Sequence, residues 1–593
     1  MDQPAEKQVE KRTDVAVKDE AAIKSEFLTT KEKFCDFVDS EWQRQNEAKA
    51  GGNDKTGETS VEPPNNNEER LCLSVVQDNR VCSYGDKCHF HHNIADYLAT
   101  KPADIGESCY LYDTFGKCTY GLSCRFAKAH TTPDFKTMEN AELMKAYEGR
   151  IVVKNSLSKD LQIRLRKHSV SFKMSAEYLK TLSDKGDKRE QRGNGDACAD
   201  PTGGDQQVST EAQLQIQASS NKQPPVKTIG PLTDADIIKL RPCEKRQVDF
   251  KDKLYLAPLT TCGNLPFRRV CKRFGADLTC TAMVMCTDVL QGEDSEWDLL
   301  KRHESEDVFG VQVEGCFPDT MTQCAELINN HTEVDFVDIN SGCPIESVYK
   351  KGGGSGLMIR TQNLEQIIKG MNYVLDVPLT IKIRTGFHEN NRIAHKLIPE
   401  MKKWGISMVT LHGRSREHRL STLADWDYIN TCSQLARPVP LFGNGDILSY
   451  EDAMKAKETG VSGIVIGRGA LIKPWIFTEI KESRHWDISS SERLDILKDF
   501  TNFGLEHWGS DTRGVEKTRN FLLEWLSFMY NYIPVGLLER VPQKINERLP
   551  YYLGRNYLES LMASQNVEDW VRISEMLLGP VPKNFNFKAK SYK

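Results

Sequence analysis

Downstream of residue 253, eight short apolar runs punctuate the chain, at 254–258, 278–282, 308–313, 336–339, 379–383, 408–411, 439–442 and 463–466. They are short, mostly apolar and rich in Val, Ile, Leu and Phe, and they read as strands. Segments of helix length separate the runs, so the pattern predicts an α/β fold, a (β/α)8 TIM barrel. After Trp475 the strand pattern stops. Residues 491–576 carry apolar positions at helical spacing, most clearly at Arg519-Asn520-Phe521-Leu522-Leu523-Glu524-Trp525-Leu526, and predict a separate helical domain. The expected boundaries are 231–482 for the barrel and 483–593 for the helical domain with its basic tail.

Upstream of the barrel the apolar pattern thins out. Residues 1–70 hold 17 acidic and 11 basic side chains, end in a polar run, and are expected to be disordered. Within them, Phe27, Phe34, Phe37, Val38 and Trp42 could share one helical face over 25–45; a transient solvated helix and a partner-docking helix both fit. Residues 132–192 form a basic, partly helical extension, with 13 Lys and Arg against 6 Asp and Glu over 145–192. Such a run is either a solvated face or a surface for RNA. Residues 193–230 are Gly-, Gln- and Ser-rich and read as a flexible linker.

Composition narrows the class. A net charge of −5 over 593 residues excludes a global polyanion-binding surface, so any nucleic-acid contact must be local. The first residues lack an apolar core of the signal-peptide kind, and no run approaches a membrane span, so a soluble monomer is expected in the cytoplasm, with a nuclear fraction left open. In such a setting 17 cysteines argue for metal ligation and catalysis over disulfides.

Six of those cysteines fall in residues 71–131. Cys72, Cys82, Cys88 and His92 are spaced C-x9-C-x5-C-x3-H; Cys109, Cys118, Cys124 and His130 are spaced C-x8-C-x5-C-x5-H. Four soft or borderline ligands at short spacing suit a closed tetrahedral Zn²⁺ site, two structural ions in all. Each cluster is too small to bury a core, so zinc would supply most of its folding energy. Tyr84, Phe90, Tyr120 and Phe126 stand among Lys87 and Arg125, the mix of ring faces and cations that single-stranded RNA needs. The pattern resembles tandem CCCH zinc fingers, an RNA-associated family; zinc without RNA contact is the alternative.

The barrel's chemistry is expected where its strands end. The stretch VDFVDINSGCPIESVYKKGGGSGLM (334–358) runs from a strand into a small-residue turn carrying Asn340 and Cys343, then into a glycine-rich loop. A thiol there can be a nucleophile, a proton donor or a packed core residue. Other strand ends offer Pro258, Leu259 and Thr260; Gln312; Lys382 and Arg384; His412; Asn444, Gly445 and Asp446; and Gly467 and Arg468. Glycine-rich loops after strands seven and eight suit a phosphate, and a lysine beside a glutamine could hydrogen-bond a flavin ring.

With these residues in place the chain resembles the tRNA-dihydrouridine synthases across 253–480 and roughly 485–580, through YLAPLTTCGNLPFRRVCKRFGAD, GVQVEG, VDFVDINSGCPI, IKIRTGF, LHGRSRE, ADWDYI, LFGNGDI and GIVIGRGALIKPWIF. The preceding fingers point to the family's zinc-finger-bearing eukaryotic branch, which reduces a uridine of the tRNA variable loop. The resemblance implies FMN bound by Pro258, Leu259, Thr260, Gln312, Lys382, His412, Asn444, Gly445, Asp446, Gly467 and Arg468. It further implies NADPH or NADH as reductant, Cys343 as proton donor, and tRNA as partner, with mRNA left open. Asn340 and Arg384 are candidates for the uracil edge, and Arg513, Lys517, Arg519, Arg540, Lys544 and Arg548 for gripping the tRNA body. Rival readings are an RNA-binding adaptor with an inactive barrel and a flavin barrel reducing a small pyrimidine.

Overall fold

The computed structural model describes residues 20–50, 70–76, 81–182, 244–582 and 585–590. The expected linker at 193–230 and the start of the barrel at 231 lie outside the described residues. Eight parallel strands close on themselves: β1 (Lys253–Leu256), β2 (Leu278–Cys280), β3 (Val308–Glu314), β4 (Phe336–Ser341), β5 (Leu379–Arg384), β6 (Met408–His412), β7 (Leu441–Asn444) and β8 (Gly463–Ile466). β8 pairs with β1, and β2 pairs with β3, which completes the ring. The seventh strand starts two residues later than its apolar run, and Val284–Met285 adds a short piece beside the end of β3.

An aromatic plug fills the barrel floor. Phe250, Tyr255, Phe336 and Phe442 meet edge to face, with centroids 5.9 to 6.4 Å apart. Such contacts add to the area they bury. With the floor closed, the polar side chains of β3 to β7 are left for the opposite, C-terminal mouth.

The helical domain consists chiefly of helices Ser490–Trp508, Thr512–Met529 and Val567–Leu578, joined by an irregular 530–556 segment. Trp525 is buried between Phe267 of the barrel and Phe500, so the two domains share one core. Among the described residues no helix is long and apolar enough to cross a membrane.

Two upstream segments expected to be free of the barrel are bound to it. Residues 20–29 run beside the irregular segment, with Ala21 N–H donating to Arg548 O (3.0 Å) and Lys24 N–H to Leu537 O (3.0 Å). The helix Lys31–Ala50 then buries Phe34 and Val38 in the main core, and Asp39 pairs with Arg572 at 2.7 Å. The expectation of disorder through residue 70 fails here because the apolar face has a partner within its own chain. The basic extension likewise straps the barrel wall. Val153–Lys154 pairs antiparallel with Arg302–His303, Leu161 and Leu165 are buried, and Ser175 Oγ donates to Glu326 (2.6 Å). Arg164, Arg166 and Lys167 remain on its exposed side.

Candidate functional site at the barrel mouth

The strand register sets the site. Asn340 lies opposite Lys382, Arg384 opposite His412, and His412 opposite Asn444, so consecutive strands deliver these side chains to one rim. Pro258 and Leu259 are half-buried in the loop after β1, with Thr260 exposed beyond them. Gly467 faces Ala257 and Leu259, which closes the circle.

Cys343 is presented by a chain of amides. Asp338 accepts from Gln312 Nε2 (2.7 Å), Gln312 Oε1 accepts from Asn340 Nδ2 (2.8 Å), and Asn340 Oδ1 accepts the Cys343 N–H (2.9 Å). Asn340 Oδ1 also takes the Gly342 N–H at 3.2 Å. Most of the capacity of Gln312 and Asn340 therefore goes into holding the cysteine turn, and each amide keeps one N–H for a ligand. Burial pushes the Asp338 carboxyl up to about 6, against the donors Gln312 and Thr380.

The Cys343 thiol itself is raised above its ordinary range. Burial is the largest cause; a backbone N–H of Ile345 opposes it, and the charge of Glu314 adds to it. A thiol so placed stays protonated at neutral pH. Gly354 backs it: its φ of +50° favours glycine, and a Cβ there would lie 3.0 Å from Cys343 Cβ.

Around the thiol the rim is cationic. Burial pushes Lys382 down to about 8 and Arg384 down to about 10, with neighbouring arginines as the next cause in each. His412 is held neutral, well below its usual range, by burial and then by Arg384, Lys382, Arg414 and Arg468. Its Nε2 accepts from Arg414 (3.2 Å), which leaves Nδ1–H as donor toward the cavity. Arg384 is anchored through Nε to Gly342 O (2.7 Å) and Nη1 to Ser415 O (2.9 Å). Among the described residues the half-buried Lys382 has no hydrogen-bond partner, which leaves its ammonium for an anionic ligand.

Two of the expected residues have their side chains occupied within the protein. Asp446, expected to contact the cofactor, has its carboxylate fully engaged: Arg414 binds it at 2.5 and 2.7 Å, Arg468 at 2.8 Å, and Ala424 N–H at 2.7 Å. Its side chain holds Arg414 and Arg468 in place. Asn546 of the helical domain also accepts from Arg468, at 3.2 Å. Arg519, expected to grip RNA, is fully buried and donates to Ser574 Oγ and to the carbonyls of Leu578 and Gly579, closing a helix end. Arg513, Lys517, Arg540, Lys544 and Arg548 are exposed.

Both cysteine clusters assemble. In each set all four ligand atoms lie within 4.8 Å of one another. Zinc–sulfur bonds of about 2.3 Å in a tetrahedron put sulfurs about 3.8 Å apart; Cys72 and Cys82 are 3.7 Å apart, Cys88 and Cys72 3.9 Å, and Cys109 and Cys124 3.8 Å. His130 is buried with both ring nitrogens unpartnered, which a metal ion would relieve.

Comparison with known proteins agrees with this geometry. The family described as "Dihydrouridine synthase (Dus)" matches residues 255–511, and "DUS3L CCCH zinc finger domain" matches 68–100 and 101–133. A Xenopus tropicalis protein named "tRNA-dihydrouridine(47) synthase [NAD(P)(+)]-like" is 57% identical, covering 97% of this chain and 96% of its own. Proteins of the same name from Homo sapiens and Arabidopsis thaliana are 59% and 42% identical, covering 93% and 88% of this chain and 85% and 84% of their own.

Proposed function

The chain belongs to the dihydrouridine synthase family, and from that premise we propose that it reduces a tRNA uridine to dihydrouridine, at position 47 as its relatives' names state. FMN at the barrel mouth, NADPH or NADH as reductant and one zinc ion in each finger complete the reading. Bound FMN, once reduced, would supply hydride to uracil C6.

The protein's share is positioning and proton supply. Arg468, braced by Asp446 and Asn546, gives a phosphate its counter-charge, and a Cβ at Gly445 would overlap Ala424, so backbone lines that loop. Lys382 and the Nδ1–H of His412 face the cavity as a cation and a neutral donor, a pairing suited to an electron-rich ring. Arg384 lies beside the cysteine turn, where a uracil carbonyl would come. Cys343 then gives its thiol proton to C5 as general acid. The observation that carries this reading is the buried Cys343, its turn fixed by Asn340 Oδ1 on the rim that also carries Lys382, Arg384 and His412. A general acid is lost as pH rises through its pKa, so turnover should hold beyond the ordinary thiol value of about 8.5.

The test is incubation with NADPH and unmodified tRNA, with dihydrouridine mapped by site, for the wild type and Cys343→Ala. The variant should keep FMN and its reduction by NADPH, and lose about 10²- to 10⁴-fold in dihydrouridine formation. Normal yield from Cys343→Ala in a single turnover would overturn the assignment.

A further inference from the structure

Glu314 ends β3 two residues after Gln312, on the same face of the strand. The residue is 4% exposed, and among the described residues no hydrogen bond or ion pair reaches its carboxyl. Buried carboxyls are ordinarily paired, so one left open beside a reaction centre points to a function.

The glycine-rich loop after Cys343 accounts for its position. A Cβ on Gly353 would overlap Glu314 Oε1, and a Cβ on Gly354 would lie 3.0 Å from Cys343 Cβ. Adjacent Cα atoms are about 3.8 Å apart, so Glu314 and Cys343 both lie against the same short stretch of backbone. Burial pushes the Glu314 carboxyl up and Lys351 pulls it down; its charge in turn raises Cys343, Cys316 and Cys286. Lys382 and Arg384 face the thiol from β5, and Arg360 packs against Gly352.

We propose that Glu314 reprotonates Cys343 after each turnover. This rests on the reading of Cys343 as the acid that protonates C5. That step breaks the S–H bond, forms a C–H bond and leaves a thiolate. The Glu314 carboxylic acid then gives its O–H proton, through an intervening water, to Cys343 Sγ. The carboxylate that remains takes a proton from solvent at the mouth, so the cycle is redox-neutral and closes on one solvent proton. Without Glu314 the buried thiolate depends on bulk water alone.

The experiment uses the full chain carrying Glu314→Gln. Anaerobic flavin reduction by NADPH without RNA, and the first turnover of pre-reduced protein on unmodified tRNA, should match the wild type, because the thiol starts protonated. Steady-state turnover should fall by about 10²-fold near pH 8, and by less at lower pH, where solvent supplies the proton more readily. Gly353→Ala, which displaces the carboxyl without removing it, should reproduce that profile, and it carries the test if Glu314→Gln does not retain FMN. An unchanged steady-state rate and pH profile would overturn the proposal. So would loss of the first turnover, which would put Glu314 on the substrate. If Cys343→Ala turns over normally, the reading beneath it fails instead.

Discussion

Tyr84 and Tyr120 stand at the same place in successive fingers. Their backbones coincide, with φ and ψ of −91° and −11° in one and −89° and −12° in the other, and each opens a single 3-10 turn on a glycine of positive φ. Yet Tyr84 is 73% exposed, while the Tyr120 ring lies against Gly509 of the helical domain. The difference extends over both modules. All four ligands of the second finger are buried; in the first, only Cys72 is, and His92 is exposed. Arg125 N–H donates to Ser510 O (2.8 Å), and Ile105 packs at Gly579, so the second finger is clasped to the helical domain. The first packs Leu71 and Tyr97 on Leu122 of the second finger and reaches the helical domain by an Arg70–Asp511 pair at 3.6 Å. One ligand pattern thus serves two ends: a site that holds a domain wall, and a site that holds out ring faces.

The contrast breaks most visibly at the ligands. Cys118→Ser should unfold the second finger and uncover the helical-domain face it protects, a loss of several kcal/mol. At roughly 2–4 °C per kcal/mol for a domain of this size, the apparent Tm should fall by about 5 °C or more. Cys82→Ser should leave Tm nearly unchanged and weaken tRNA binding, with a flatter salt dependence as phosphate contacts go. Thermal melts and salt-dependent affinities of both variants check this; equal Tm losses would mean both fingers are walls.

A smaller effect loosens the second finger from within and leaves its four ligands in place. Arg125 is buried, and its Nε and Nη2 both donate to Ala103 O, at 3.3 and 3.1 Å. Arg125→Met keeps the stem and removes the charged bonds, which are worth about 1.5–3 kcal/mol. Urea titration should show that loss in the second finger, while tRNA affinity measured far below the midpoint stays within about twofold.

Much of this was written in the sequence, and the failures have physical reasons. Buried parallel strands are continuous apolar runs, so all eight could be placed; strand ends could not, and the seventh is displaced by two residues. Cys343, Lys382 and His412 were legible because barrel chemistry collects at strand ends. The partners of Asp446 were not legible, because nothing near it in sequence shows that Arg414 and Arg468 occupy its carboxylate. Glu314 was overlooked beside Gln312, although a spacing of two on a strand puts both on one face. The amphipathic run at Phe34 and Val38 was visible, but its docking site at residues 530–556 was not, because that segment has no apolar period of its own. Nothing in the ligand spacing separated the two fingers: the difference lies in Ser510 and Gly509, nearly 400 residues away.

The finest distinction concerns single rings of the first finger. Tyr84 and Phe90 flank Lys87 and keep 73% and 37% of their surface open, and Arg70 lies over the Phe90 ring at 5.9 Å. A base stacked on such a ring contributes about 1–3 kcal/mol, with little dependence on sequence. Tyr84→Ala should therefore cost about 1 kcal/mol in tRNA affinity, roughly fivefold in Kd, and Phe90→Ala a comparable amount. Neither should move Tm, since neither ring is buried in the core. Tyr120→Ala should do the opposite, lowering Tm and sparing affinity, because its ring already has a partner at Gly509. Fluorescence titration with unmodified tRNA, alongside thermal melts of the three variants, reads both quantities. Loss of affinity in Tyr120→Ala equal to that in Tyr84→Ala would show that the second finger also meets RNA, and the division between wall and hand would fall.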